Sequence, residues 1–191
     1  MTANKLGNSA VRQWGNSATV RFALALAVLG SLTTAAVFAQ KETIEGIRNF
    51  TKVDATVACA GATEPAAMAT LGQRGYKAVI SLREESEAGA LIDESQKAAE
   101  AAGMKFIHVP FNSSRPDEGA VDRYLAAVKD SSNHPVLIFC ASGSRAGALW
   151  LIKRMLVDGW PEEKATAEAV MIGMASPTLK AFALEYVAKH K

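Results

Sequence analysis

Beyond residue 40 the chain alternates short apolar runs with longer stretches whose apolar residues recur every three or four positions. Four runs have strand character: Thr56-Val-Ala-Cys59, Ala78-Val-Ile-Ser-Leu82, Phe106-Ile-His-Val109 and Val136-Leu-Ile-Phe139. The last three are compact, rich in β-branched or aromatic residues and bounded by Gly or Pro turns. Helical patterns lie between them. Glu64–Arg74 opens with Pro65 near its first turn and stops near Gly75. Leu91–Ala102 is rich in Ala and Glu and is closed by Gly103. Asp117–Lys129 follows Pro116 and carries Val121, Tyr124, Leu125 and Val128 on one stripe. After Cys140 the pattern is helical throughout: Arg145–Val157 ending before Gly159, Pro161–Ile172, and Ser176–Ala188 with Ser176 as N-cap and Pro177 at the first helical position. Strands alternating with helices predict an α/β fold with a central, mostly parallel sheet of four to five strands flanked by helices, and a helical C-terminal third.

The first 39 residues follow a different rule. Lys5, Arg12 and Arg21 give a cationic start without acids, Phe22–Ala39 is an apolar run of 18 residues, and Val37-Phe38-Ala39 forms a small-x-small site before Gln40. This is the pattern of a secretory signal peptide cleaved after Ala39. An uncleaved anchor is the alternative, because the run reaches the lower edge of a membrane span; Ser31, Thr33 and Thr34 weaken that reading. The expectation is a periplasmic or secreted domain, residues 40–191, with no stable membrane insertion after cleavage.

Without the leader's three cations the remaining 152 residues hold 18 basic against 19 acidic side chains. That is the size of one domain, and its near-neutral surface has no basic cluster, which argues against a nucleic-acid partner. No His/Cys/Asp/Glu set has metal-ligand spacing and no glycine-rich nucleotide loop appears, so no metal or cofactor is expected. The oligomeric state is not written in the sequence.

The chemistry concentrates in residues 135–149, a buried strand ending at Cys140, a small-residue turn, and Arg145 at the mouth of a helix. The carboxyl end of a central parallel strand is where α/β folds place ligands. Ala141, Ser142, Gly143 and Ser144 are small enough to curl their N–H groups into an anion nest, and the following helix adds the positive end of its dipole. Together these favour the thiolate of Cys140. Arg145 supplies a planar fork matched to two oxygens of a phosphate, sulfate or thiosulfate. Cys140 then reads as nucleophile and Arg145 as clamp for the developing charge; the plainer reading is a cysteine that only packs.

These pieces carry a family resemblance. Gly61-Ala-Thr-Glu-Pro65, Gly75-Tyr-Lys-Ala-Val-Ile-Ser-Leu-Arg83, Gly103-Met-Lys-Phe-Ile-His-Val-Pro110 and Phe139-Cys-Ala-Ser-Gly-Ser-Arg145 occur in the order expected of the cysteine-dependent dual-specificity and protein tyrosine phosphatases. The segment from Val57 to Met174 most resembles the bacterial beta-lactamase hydrolase-like phosphatases. The resemblance implies hydrolysis of a phosphorylated small molecule or phosphoprotein through a phosphocysteine on Cys140. Residues 141–145 would form the phosphate loop.

The departures bear on activity. Four residues separate Cys140 from Arg145, where most such phosphatases have five; Phe139 stands in place of a His, and Ala146 in place of a Ser or Thr that eases thiolate departure. A four-residue gap is similar to the rhodanese sulfurtransferases, which form a persulfide on the cysteine. The helical region after Gly159 is unlike that family. A catalytically impaired oxyanion-binding module is the third reading. The family's general-acid loop holds Asn112, Ser113 and Ser114 here; Asp117 is the nearest acid, and equally an acid in a helix's first turn.

The remaining polar and aromatic residues read more plainly. His108 and His134 are expected to be satisfied or solvated, and Trp150 and Trp160 to pack; Arg83, which with Glu84 and Glu85 follows a strand's carboxyl end, is expected to form an ion pair with a neighbour, with contact to substrate as the alternative. Cys59 is expected to be a small buried residue; its place at a strand end makes a reversible disulfide to Cys140 the alternative reading.

Overall fold

The computed structural model describes residues 39–191; residues 1–38 of the leader read as a signal peptide lie outside the described residues. Twelve elements follow one another: β1 (Gln40–Lys41), β2 (Thr51–Lys52), β3 (Val57–Ala60), α1 (Ala67–Gln73), β4 (Ala78–Ser81), α2 (Ile92–Ala101), β5 (Lys105–His108), α3 (Glu118–Lys129), β6 (Val136–Phe139), α4 (Ser144–Leu156), α5 (Glu162–Ile172) and α6 (Pro177–His190), with one 3-10 turn at Ser131–Asn133.

The six strands form one sheet in the order β1-β2-β3-β6-β4-β5. β3, β6, β4 and β5 are parallel, and β1 and β2 extend the β3 edge antiparallel. The expected sheet is therefore enlarged by two strands of two residues each, too short to show any alternation in sequence.

Side chains on successive strand residues point to opposite faces, and the core divides accordingly. Val57, Cys59, Ala78, Ile80, Val136 and Ile138 pack with α3, α4, α5 and α6, whereas Ala58, Ala60, Val79, Leu137 and Phe139 pack with α1 and α2. β6 is central and buried along its whole length, which is why it reads as a continuous apolar run rather than an alternation. Residue 140, at its end, is thus carried by the most constrained strand of the sheet.

The helical third is tied by a buried charge cluster. Arg154 lies between the rings of Trp150 and Trp160, 4.5 and 4.1 Å from their centroids. Its guanidinium donates to Glu168 at 2.7 Å and to Asp158 at 2.8 Å, while Trp150 Nε1 donates to Glu168 at 2.6 Å. Both tryptophans pack, as expected. α6 begins as its sequence predicts, with Ser176 Oγ accepting from the Leu179 amide at 3.3 Å. Among the described residues no helix is long and apolar enough to cross a membrane.

Candidate active site

Cys140 follows β6 directly and is 1% exposed. Its Sγ accepts a hydrogen bond from the Gly143 amide at 3.1 Å. The turn between them is held from outside by its carbonyls. The Ala141 carbonyl accepts from the Ala62 amide at 3.0 Å, and the Ser142 carbonyl accepts from Asn49 Nδ2 at 3.4 Å. A peptide unit is planar and trans, so its C=O and N–H point in opposite directions. Anchoring these two carbonyls outward turns the amides of Ser142 and Gly143 inward, toward the thiol.

Gly143 sits at φ +100, in the left-handed region that favours glycine. A Cβ there would stand 2.6 Å from the Ile172 carbonyl oxygen and 2.9 Å from Asn49 Nδ2. The turn is therefore pressed against the end of α5, and Asn49 binds both, donating to Ile172 O at 2.6 Å. Asn49 itself has φ +55, a conformation asparagine tolerates better than most residues. The first amides of α4 have no carbonyl partner one turn back, and that open end faces the same turn.

Arg145, in the first turn of α4, is 6% exposed. Its Nη1 donates to the carbonyls of Leu82 and Phe111, both at 3.0 Å, and to Glu87 Oε1 at 2.5 Å; Nη2 donates to Glu87 Oε2 at 2.7 Å. Leu82 follows β4 and Phe111 follows β5, so loops from two further parallel strands grip the guanidinium. Burial alone would push the Glu87 carboxyl up. The hydrogen bonds from Arg145, the Glu84 amide and Arg83 outweigh it and hold Glu87 at about 2. Burial likewise opposes the charge on Arg145, but Glu87 and the neighbouring Cys140 raise its pKa above the ordinary guanidinium value.

Arg83 pairs with an acid as expected, and that acid is Glu87, at 3.1 Å; its other nitrogens donate to the Ala88 and Gly89 carbonyls, both at 2.7 Å. The segment 83–89 is thereby wound into a compact loop that presents Glu87. Glu84 accepts from Asn112 Nδ2 with both carboxylate oxygens, at 3.0 and 2.8 Å, which joins the loop after β4 to the loop after β5. Asp117 caps α3, with Oδ1 accepting from Gly119 N at 3.1 Å and Oδ2 from Ala120 N at 2.9 Å. Its side chain is 62% exposed and lies 3.6 Å from Arg123. His108 Nε2 donates to the Arg83 carbonyl at 2.8 Å, and His134 Nε2 to the Val128 carbonyl at 2.9 Å.

Both cysteines are free thiols. Cys59 is fully buried, and that burial raises its pKa well above the ordinary thiol value. Among the described residues, no group of three or more His, Cys, Asp or Glu side chains could hold a metal ion.

The Gly143 amide thus meets Cys140 Sγ, and Arg145 lies close enough for Cys140 to raise its pKa. Glu87 and Asn49 emerge only in three dimensions. Glu87 lies 58 residues from Arg145 within a segment rich in acids, and Asn49 lies in no motif, so neither carried a local signal.

A thiol at the end of the central strand, an amide-lined turn and a buried arginine on an α/β/α sandwich define the cysteine-phosphatase fold. Residues 49–157 match the family described as beta-lactamase hydrolase-like protein, phosphatase-like domain, and the chain belongs to that family. Comparison with curated protein sequences finds no match.

Among solved structures, a DUF442 protein from Shewanella putrefaciens is similar over 76% of this chain and 95% of its own, with 24% identity and a TM-score of 0.67. TpbA of P. aeruginosa is similar over 82% of this chain and 92% of its own, at 20% identity and a TM-score of 0.62; a variant of it was solved in complex with phosphotyrosine. The catalytic core of SIW14, a PP-IP phosphatase of S. cerevisiae, is similar over 77% and 93%, at 18% identity and a TM-score of 0.63. At these identities the likeness is one of fold.

Proposed function

We propose that this chain is an exported cysteine-dependent phosphatase that hydrolyses phosphate esters through a phosphocysteine on Cys140. The observation that carries the reading is the Gly143 amide on Cys140 Sγ at 3.1 Å, beside a guanidinium clamped by Glu87. The thiolate attacks phosphorus. The amides of residues 141–144 and Arg145 receive the equatorial oxygens, whose charge spreads in the transition state. The clamp fixes Arg145 before substrate arrives, so little reorganisation accompanies the reaction. A phosphorylated small molecule or a phosphoprotein is the expected substrate, and the complex of TpbA with phosphotyrosine supports that class by analogy of fold.

A second reading is sulfur transfer through a Cys140 persulfide. The four-residue span from Cys140 to Arg145 favours it, because a shorter loop offers a narrower cradle. Assay of the purified protein with an aryl phosphate, and with thiosulfate plus cyanide, beside Cys140→Ser, separates the two. Phosphate release lost in the variant supports the phosphatase; thiocyanate formation lost in the variant supports sulfur transfer. Silence in both assays with retained phosphate binding marks an oxyanion-binding module.

Export rests on the cationic start, the apolar run and the small-x-small site before Gln40. Cell fractionation with N-terminal sequencing tests it. A periplasmic or secreted chain beginning at Gln40 agrees, and an intact chain in the membrane or cytoplasm does not.

A further inference from the structure

The two loops that grip Arg145 are also the places from which a proton donor would reach a leaving group on phosphorus. Three of their acids, Glu84, Glu87 and Asp117, are already engaged. Glu87 is paired with Arg145 and Arg83 and held at about 2, so it carries no proton near neutral pH. Glu84 accepts from the Asn112 amide with both oxygens, which ties its carboxyl group to the loop after β5 and away from a leaving group. Glu85 borders a shallow depression with Leu91, Ile92, Asp93 and Glu94 at the start of α2.

In the loop after β5, Asn112 stands where the family resemblance places an acid. Its Oδ1 accepts from the amides of Ser114 and Arg115 at 2.8 and 3.0 Å, so both halves of its side chain are committed. Asp117 uses both oxygens to cap α3. His108 spends its Nε2 proton on the Arg83 carbonyl. The α5–α6 turn, whose Ala175 amide meets Ser144 Oγ at 3.3 Å, carries no acid between Ile172 and Ser176.

We propose that this site cleaves phosphoryl groups whose leaving group departs unprotonated: phosphoanhydrides, acyl phosphates and aryl phosphates, in preference to alkyl monoesters such as phosphoserine. The inference rests on the phosphatase reading above. Cys140 Sγ forms the P–S bond as the P–O bond breaks, and the electron pair leaves with oxygen as a phosphate, carboxylate or aryloxide anion. Water then attacks the phosphocysteine, the P–S pair returns to sulfur, and the proton released from water passes to phosphate or solvent. An alkoxide, too basic to depart alone, is not expelled efficiently without general-acid help.

The test is a leaving-group series on the full-length protein: aryl phosphates of graded acidity, acetyl phosphate, inorganic pyrophosphate and phosphoserine. kcat/KM is expected to fall steeply as the leaving group becomes more basic. Phosphoserine is expected to lie about 10²- to 10⁴-fold below nitrophenyl phosphate, the usual contribution of an acid catalyst. Glu84→Gln and Asp117→Asn are expected to leave that ratio where it is. A flat dependence overturns the proposal. So does a selective loss of phosphoserine turnover in either variant, which would identify a working acid. Absence of phosphate release from every substrate contradicts the phosphatase reading itself, a result distinct from a flat series.

Discussion

Glu87 holds Arg145 by two parallel hydrogen bonds, Nη1 to Oε1 at 2.5 Å and Nη2 to Oε2 at 2.7 Å. The pair joins the loop after β4 to the first turn of α4, and the guanidinium is 6% exposed. Removing one partner of such a pair strands the other, which costs more than the pair contributes. Glu87→Gln keeps the shape and removes the charge. It is expected to lower the rate of phosphate release by about 10²-fold, the scale of losing one oriented donor at developing charge, with a smaller change in KM.

The same pair sets a pH dependence. Glu87 falls from its ordinary 4.5 to about 2 in the fold, so the unfolded chain binds its proton first as pH drops. The stability it contributes is fully present above about pH 4.5 and is lost as pH falls toward 2. Thermal unfolding followed across that window should show a steeper acid limb in the native chain than in Glu87→Gln.

Gly143→Ala tests the turn. The position has φ +100, and an added Cβ would meet the Ile172 carbonyl at 2.6 Å, so the backbone must shift. The Gly143 amide then leaves Cys140 Sγ. The expected outcome is loss of both phosphate binding and thiol reactivity toward an alkylating reagent at neutral pH, with a stability cost of about 1–3 kcal/mol. Retained reactivity would show that this amide does not support the thiolate.

The fold was largely legible and the site only in part, for reasons visible in particular residues. Val136–Phe139 reads as a buried strand because both its faces are covered, and Ser176-Pro177 marks the start of α6 by local chemistry alone. Cys140 and Arg145 were legible because strand, turn and helix bring them together within six residues of chain. Glu87 and Asn49 act across 58 and 123 residues, and no local pattern encodes a contact made by sheet topology. Asp117 shows the converse. A carboxylate three residues before a helical amide is a capping signal, and the cap is what the structure contains.

Asn49→Ala removes the link among the Ser142 carbonyl, the end of α5 and the N-terminal segment. One or two hydrogen bonds of this kind are worth about 0.5–1.5 kcal/mol each, so the variant should fold with a modestly lower Tm. The Ser142 carbonyl would then be free to rotate inward, while the Ala62 amide still holds the Ala141 carbonyl. Phosphate release should fall by about tenfold or more, a larger fraction than the stability loss explains.

Glu168 anchors the other side of the molecule. It is 7% exposed and accepts from both Arg154 and Trp150. Glu168→Ala leaves a buried guanidinium short of its closest partner and is expected to cost about 3–5 kcal/mol, read as a shift in the denaturant midpoint. A change below about 1 kcal/mol would show that Asp158, at 2.8 Å, and Asp54, whose Oδ2 lies 3.5 Å from Arg154 Nη2, suffice for Arg154.

The central claim is covalent. An acid quench within the first turnovers on an aryl phosphate, followed by mass analysis of the peptide containing Cys140, should find one added phosphoryl group on its sulfur, absent in Cys140→Ser. Phosphate release that continues in Cys140→Ser, or turnover with no phosphoryl group ever found on that peptide, would contradict the account.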